Sequence, residues 1–351
     1  MIGIVTINDF NYGNRLQNLA MLQIVKEYDE AFNLLCDFEN FKLKPFDRLK
    51  VIVKKIFLKN ERERVKNFKR FNKKYINNYP VKLKRTMNFE NINKKFDAYI
   101  VGSDQIWNPN FYPNMYFNFL GFAGDKKKIA VSPSISVSLL TNSQKDEFVK
   151  YIDSFDYLSC REREGCELLK EFTNKEIIHL IDPTLYLDRE FWFSKCEKPV
   201  FHDETKEYIL VYALGEKEKI SKFADENKFK IIDILDKNTP YYRCGPSQFL
   251  YLIKNARLVL TDSYHASIFS FLFNTPMIIF ERIDKNVSMN SRITNLVEVL
   301  DIRNRLFKNI NLNEIFITNY NYTLLEKYKA KFNLYIRETI GKVGFNNESV
   351  R

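Results

Sequence analysis

The chain has 351 residues, about twice the usual length of one domain, so we expect two domains. Hydrophobic residues make up 45% of it and glycine and proline number only 10 each, which excludes low-complexity and collagen-like classes. No run reaches about 18 apolar residues, and the start "MIGIVTIND" lacks the pattern of a signal peptide. We therefore expect a cytoplasmic protein without a membrane-spanning helix.

The first strand is predicted at residues 2–7, and the loop "NDFNYGNRLQN" (8–18) leads from it into a helix that ends near Lys26. The loop lacks the GxGxxG pattern of dinucleotide binding. Gly13 can supply a positive φ, and amides at a helix N-terminus bind anions. The loop is either part of a cleft that contains Asn11, Gly13 and Asn14, or a turn whose asparagines cap the helix.

Positive charge is concentrated between Lys42 and Arg85, where 17 Lys or Arg accompany three carboxylates, a net of +14. The whole chain carries +11, so the remainder carries −3. Apolar residues at helical spacing from Leu49 to Tyr75 predict two helices with a lysine-rich face. That face is either solvated surface or a contact for an anionic membrane or a lipid pyrophosphate. We do not expect nucleic acid, because no known binding module accompanies the charge.

Strands are next predicted at 98–103 and 128–135, and the first runs into "VGSDQIWNPN" (101–110). The side chains of interest there are Asp104, Gln105, Trp107 and Asn108. An indole beside amide and carboxylate groups at a strand exit is typical of a sugar platform, which favours a place in the binding cleft. The alternative is that Trp107 belongs to the core beneath a loop.

The segment "SCREREG" (159–165) places Arg161 at the end of another strand. A guanidinium can bind a carboxylate or phosphate through two parallel hydrogen bonds. Arg282 follows a later strand and Arg292 begins a predicted helix. Several arginines around one cleft would suit a small substrate with two or three negative charges.

A break near residues 197–205 separates two series of alternating strands and helices, which predicts an α/β fold of two facing Rossmann-like domains. We place the first domain at residues 1–198, with the basic segment 42–85, and the second at 199–351, with a terminal helix. Motifs from both halves should line one cleft.

The stretch "TDSYHASIFSFLFNTPMIIFER" (261–282) contains one of only three histidines in the chain. The residues before it predict a buried strand and those after it a helix, which puts His265 at the carboxyl edge of a sheet. Open α/β sheets bind ligands at that edge. The alternative is a capping turn with the histidine packed beside it.

The five cysteines are scattered and show no CxxC spacing, so we expect buried thiols rather than disulfides or a zinc site. With three histidines and no clustered ligands, we expect no dedicated metal site.

Five motifs occur in an order that resembles the polysaccharide pyruvyl transferase family, over roughly residues 2 to 300. They are "NYGNRLQN", "DAYIVGSDQIWNP", "SCREREG", "DPTLYL" and "TDSYHASIFSFLFNTPMIIFER" with the later "NSRI". The resemblance implies a GT-B-like arrangement of the two domains. It also implies transfer of the pyruvyl group of phosphoenolpyruvate to a sugar of a bacterial surface polysaccharide, such as a capsule, or its lipid-linked precursor. The product would be a pyruvate ketal, formed without a cofactor or a metal.

The resemblance further implies that His265 is the catalytic acid and that Arg161 binds the donor. A histidine suits that task because its side chain exchanges protons near neutral pH. One departure concerns Ser263, which stands where many members carry a donor-binding arginine. Either Arg282 or Arg292 then binds the donor anion beside Ser263, or this branch uses another donor.

Two other functions remain open. A nucleotide-sugar glycosyltransferase of the same fold would use carboxylates in the second half, for which Glu281 and Asp284 are candidates. A non-catalytic scaffold of a capsule-assembly complex would bind through the basic helices.

Overall fold

The computed structural model describes residues 1–37, 59–111, 115–203, 205–282, 289–341 and 343. The first predicted helix of the basic segment, up to residue 58, and the candidate Asp284 lie outside the described residues.

The first half is built on a parallel sheet. Its strands are β1 (Ile2–Val5), β2 (Ala31–Leu34), β3 (Ala98–Val101) and β4 (Lys127–Ala130), in the order β2-β1-β3-β4. β1 and β3 are buried along their whole length. Both faces of the sheet are therefore covered, as in other all-parallel sheets.

Helices and a second, smaller sheet complete this half. The helices are α1 (Tyr12–Lys26), α2 (Lys59–Tyr75), α3 (Glu90–Asn93), α4 (Asn142–Ile152), α5 (Arg163–Leu169), α6 (Pro183–Tyr186) and α7 (Arg189–Phe193). β5 (Leu158–Cys160) and β6 (Ile177–His179) pair in parallel. A bridge between Ile129 and Tyr157 continues the first sheet toward them.

The second half repeats this pattern. Its strands are β7 (Ile209–Tyr212), β8 (Ile231–Asp233), β9 (Leu258–Thr261) and β10 (Met277–Ile279), parallel and in the order β10-β9-β7-β8. Its helices are α8 (Lys217–Glu226), α9 (Pro246–Lys254), α10 (Tyr264–Leu272), α11 (Met289–Val299) and α12 (Thr323–Ile336). The prediction of an α/β fold with two parallel Rossmann-like sheets is confirmed. The domain boundary at residue 198 stays a prediction.

The two halves share a core. Tyr12 of α1 stacks on Phe249 of α9 with ring centroids 4.3 Å apart, and its hydroxyl donates to the Cys244 carbonyl at 2.9 Å. From the other end of the chain, the Tyr335 hydroxyl of α12 donates to the Ala130 carbonyl at 2.8 Å. α1 and α12 therefore hold the halves together on either side.

All five cysteines are free thiols, and four of them are buried. No helix in the described ranges combines the length and the apolar character needed to cross a membrane.

Candidate functional site

A cavity of about 530 Å³ opens between the two halves at the carboxyl ends of their strands. Its lining combines residues that follow β1, β3, β7, β9 and β10. They are Ile7, Asp9, Asn11, Asn14, Asp104, Gln105, Asn110, Phe111, Leu214, Ser263, Tyr264, His265, Arg282 and Arg292. The cavity has the place that ligands occupy in open α/β sheets. It brings together eight of the twelve residues that the sequence assigned to the site.

His265 lies in the first turn of α10, directly after β9, and is 7% exposed. Ser263 is the N-cap of that helix, and its hydroxyl accepts from the Ala266 amide at 3.4 Å. Both interpretations of this stretch therefore apply, since the turn is a cap and the histidine also lines the cavity.

A buried carboxylate lies behind the imidazole. Nε2 of His265 is 3.7 Å from Oδ2 of Asp182 and is shielded from solvent. Thr184 donates to Oδ1 of Asp182 through its amide at 3.0 Å and its hydroxyl at 2.7 Å. Burial alone would raise the pKa of Asp182, but His265, Arg161 and the Thr184 amide lower it well below the usual range. Asp182 is therefore an anion at neutral pH.

The predicted contact between Arg161 and a donor needs correction. Arg161 is fully buried and does not line the cavity. Its Nη1 donates to Asp182 at 2.9 Å and its Nε donates to Glu162 at 2.8 Å. Its guanidinium also lies 4.2 Å from the centre of the Tyr264 ring. The β5 exit points this side chain into the protein, where carboxylates surround it.

Arg282 and Arg292 are the arginines that do line the cavity. Nε of Arg282 is 3.3 Å from Oδ2 of Asp262. Asp262 also accepts from the Leu214, Gly215 and Glu216 amides at 2.6 to 2.8 Å, which fixes it. The guanidinium of Arg292 contacts the side-chain oxygen of Gln105 when that amide is oriented with its oxygen toward the arginine. Burial lowers the pKa of Arg292 to about 10, so it is a cation at neutral pH.

The loop after β1 lines the cavity, as predicted, but its conformation differs from the predicted one. Asn11 is the N-cap of α1 and accepts from the Gly13 and Asn14 amides. Asn14 in turn donates to Asp104. Gly13 lies inside the helix without a positive φ, so the expectation of a left-handed turn is wrong. Glycine is needed there for space, because the ring of His265 packs against it.

The prediction of Trp107 as a sugar platform is wrong. The indole is fully buried, stacks on Phe119 at 5.0 Å and donates to the Asn118 carbonyl at 2.9 Å. Asn108 is also buried, and its side chain accepts from the Asn110 amide at 3.0 Å. Two aromatic rings line the cavity instead, Phe111, which is 49% exposed, and Tyr264, which is buried.

Sequence reasoning missed Asp182, Asp262 and Phe111. The two aspartates carried a signal, since each stands next to a predicted strand exit inside a quoted motif. Phe111 carried none, because no periodicity distinguishes an exposed loop phenylalanine from a core one.

Comparison with known proteins gives one family. The model of the polysaccharide pyruvyl transferase family matches residues 11–284, well over half of the chain. No curated protein matches the chain significantly.

Solved structures with a similar fold include three that align over most of their length. A UDP-GlcNAc 2-epimerase from Neisseria meningitidis is 11% identical and covers 99% of each chain, with a TM-score of 0.45. A putative UDP-N-acetylglucosamine 2-epimerase from Listeria monocytogenes is 11% identical and covers 98% of this chain and 90% of its own, with a TM-score of 0.49. An uncharacterized protein from Klebsiella pneumoniae is 17% identical and covers 71% of this chain and 94% of its own, with a TM-score of 0.38.

Proposed function

The chain belongs to the polysaccharide pyruvyl transferase family. We propose that it uses phosphoenolpyruvate as donor. The acceptor is a sugar of a bacterial surface polysaccharide or of its lipid-linked precursor. Two hydroxyls of that sugar and the pyruvyl carbon form a ketal. One observation carries the proposal: His265, Arg282 and Arg292 line the same cavity.

The donor carries a carboxylate and a phosphate, which need cations. Arg282 and Arg292 supply them from the second half of the chain, and Ser263 lines the same cavity. Arginine suits both anions because its planar fork donates two parallel hydrogen bonds. The arginines neutralise the donor without a metal ion, so activity should survive dialysis against EDTA.

His265 is the general acid. It protonates the methylene carbon of the donor, and the neighbouring carbon becomes electrophilic. One sugar hydroxyl attacks that carbon, and a second displaces phosphate to close the ketal. One hydroxyl proton restores the imidazolium and the other leaves with phosphate, which balances the reaction. Proton transfer by a positioned side chain contributes about 10²–10⁴ in rate.

The acceptor lies on the side of the cavity that the first half provides. Phe111 offers an apolar ring face, and Asn110 and Asp9 offer polar groups at the same wall. Sugars bind to such combinations of one ring with a few polar groups.

The basic helix α2 packs against the loop after β1, which lines the cavity. Phe10, between the cavity residues Asp9 and Asn11, packs on Phe68 of α2 with ring centroids 5.8 Å apart. A lipid-linked acceptor would then have its sugar in the cavity while α2 contacts the anionic leaflet. This contact is proposed together with a cytoplasmic location.

The test uses purified full-length chain with phosphoenolpyruvate and a panel of polysaccharide precursors. We expect phosphate release by ³¹P NMR and, by mass spectrometry, a product heavier than the acceptor by the mass of pyruvic acid less one water. His265→Asn should lose about 10²–10⁴ of the turnover with an unchanged melting temperature. His202→Gln, which changes a histidine that does not line the cavity, is the control.

Ligand stabilisation separates this function from the glycosyltransferase and the scaffold. Phosphoenolpyruvate should raise the melting temperature, because a ligand that binds only the folded state stabilises it. Stabilisation by UDP-sugars alone would support the glycosyltransferase instead. A response to neither ligand would contradict both enzymes and leave the scaffold.

A further inference from the structure

A group of buried charges lies directly behind the cavity. Arg161 and Asp182 are fully buried, and Glu162 and Asp104 are almost so. Nη1 of Arg161 is 2.9 Å from Asp182 and 3.6 Å from Asp104, and Nε is 2.8 Å from Glu162. At these ion-pair distances Arg161 serves three carboxylates, and Arg292 adds a second positive charge that acts on Asp104 and Glu162. Together with the imidazole of His265, this cluster is compensated best when that ring carries a positive charge.

The carboxylate nearest to the imidazole is also the one held most firmly. Asp182 is fixed by Arg161, by the amide and hydroxyl of Thr184, and by the hydroxyl of Ser103 at 3.3 Å. Removing one partner of such a buried pair is costly because the other charge remains without compensation. The side chain therefore has one position, with Oδ2 toward Nε2 of His265.

We propose that Arg161 and Asp182 are positioning residues for His265. Arg161 fixes Asp182, and Asp182 stabilises the imidazolium from the Nε2 side of the ring. Neither side chain touches the donor. The catalytic part of this inference rests on the proposed function, whereas the electrostatic part does not.

Other titratable groups line the same cavity as the imidazole. From α10 itself comes Tyr264, which is neutral because burial raises its pKa well above the usual range. From the loop after β3 comes Asp104, and from the loop after β1 comes Asp9, which shares the cavity. Arg282 and Arg292, which come from the second half, are positively charged and therefore disfavour a positive charge on the imidazole. Asp182 is the carboxylate in ion-pair distance, so its removal should have the largest effect.

The experiment follows the histidine Cε1 protons of the full-length chain by NMR between pH 5.5 and 9. The chain has only three histidines. Burial lowers the pKa of His179 to about 4, so its signal stays constant in this range. His202→Gln assigns the remaining two signals. In Asp182→Asn the midpoint of the His265 titration should fall, since Oδ2 of Asp182 lies 3.7 Å from Nε2 of His265 and a nearby opposite charge favours the charged form.

Asp188→Asn is the matched control, because this aspartate lies six residues on with a side chain that is 79% exposed. It should leave the midpoint in place. An unchanged midpoint in a folded Asp182→Asn variant would overturn the proposal, and this result would not depend on whether the protein is a pyruvyl transferase.

Arg161→Lys provides a second test that does not need the Asp182 variant to fold. The affinity for phosphoenolpyruvate, measured by calorimetry, should stay the same while kcat falls at least tenfold. A weaker affinity for phosphoenolpyruvate with an unchanged kcat would instead make Arg161 a donor-binding residue and contradict the proposal.

Discussion

Gly13 and His265 are in such close contact that a side chain at residue 13 would meet the imidazole. A Cβ built on Gly13 would lie 2.2 Å from Nδ1 of His265. The two residues come from different halves of the chain, so the helix α1 directly limits where the ring of α10 can lie. The imidazole thus lies between the Asp182 carboxylate, near Nε2, and the Gly13 backbone, near Nδ1.

Gly13→Ala tests this contact. Alanine is the better helix former by about 1 kcal/mol, so a substitution in free space within α1 would stabilise the protein. Here we expect the ring to be displaced, with kcat reduced by at least tenfold and no rise in the melting temperature. Enzyme assays and thermal melts check both quantities.

Gly341→Ala is the control for that substitution. Among the described residues, a Cβ there meets the ring of Tyr28, at an ordinary 3.6 Å. A Gly13→Ala variant that is more stable and fully active would show that the ring has room to move.

Arg292→Lys should weaken donor binding. Lysine keeps the charge but loses the planar fork, and hydrogen bonds to charged groups contribute about 1.5–3 kcal/mol each. We expect KM for phosphoenolpyruvate to rise roughly 10- to 100-fold, with KM for the acceptor little changed. The exposed Arg189→Lys is the control. Equal KM values in wild type and variant would remove Arg292 from the donor site.

Much of the fold could be predicted from the sequence. The buried strands are short apolar runs bounded by polar turns, and their alternation with helices was enough for the α/β class. Boundaries were less accurate, because side-chain hydrogen bonds decide them. Residues 177–187, for example, predict a strand with an exit marked by a proline, but β6 ends at His179 and Asp182 caps a helix that begins at Pro183.

The candidate site was predicted in part. His265, Arg282 and Arg292 follow strands of the second sheet, and parallel strands place their carboxyl ends at one edge. Such a pattern does not predict the direction in which a loop side chain points. Arg161 and Trp107 stand at equally good strand exits, yet one points into buried carboxylates and the other into an aromatic core.

Acidification should destabilise the protein through His179. Burial lowers the pKa of this residue to about 4 in the folded chain, against an ordinary value of 6.5. The unfolded chain binds the proton first, so the stability that the neutral ring contributes is complete above pH 6.5 and is lost as the pH falls toward 4. The depressed pKa of Asp182 matters only below the ordinary carboxylate range, near 3.8.

Urea unfolding of wild type and His179→Gln between pH 7 and 4.5 measures this effect. The wild-type free energy of unfolding should fall by up to about 1.4 kcal/mol per pH unit more steeply than that of the variant. Parallel curves would mean that His179 does not resist protonation.

The exposed face of α2 should bind anionic membranes. Phe68 and Phe71 are buried, as the helical spacing predicted, and Arg64 donates from the same side to the Tyr242 carbonyl at 3.1 Å. The opposite face carries exposed basic residues. They are Lys59, Arg62, Lys66, Lys69, Arg70, Lys73 and Lys74.

Each basic residue near an anionic surface contributes about 1 kcal/mol, so this face is sufficient for reversible attachment even with Lys66 and Lys74 paired to Glu63 and Glu197. The protein should sediment with vesicles that contain phosphatidylserine and not with pure phosphatidylcholine vesicles. The binding should weaken from low to moderate salt, as the Debye length shortens. Reversal of Lys66, Lys69 and Lys73 to Glu should abolish it.

The control variant reverses three exposed lysines outside α2, namely Lys145, Lys170 and Lys222. It changes the net charge by the same amount but leaves α2 intact, so it should still bind the anionic vesicles. Equal loss in both triple variants would mean that net charge, and not this face, determines the attachment. Equal sedimentation with both lipids would reduce the α2 face to solvated surface. The proposal is supported if the protein binds only anionic vesicles and only when α2 is intact. Because Phe10 contacts Phe68 of α2, the cavity mouth would then lie beside the lipid that carries a lipid-linked acceptor.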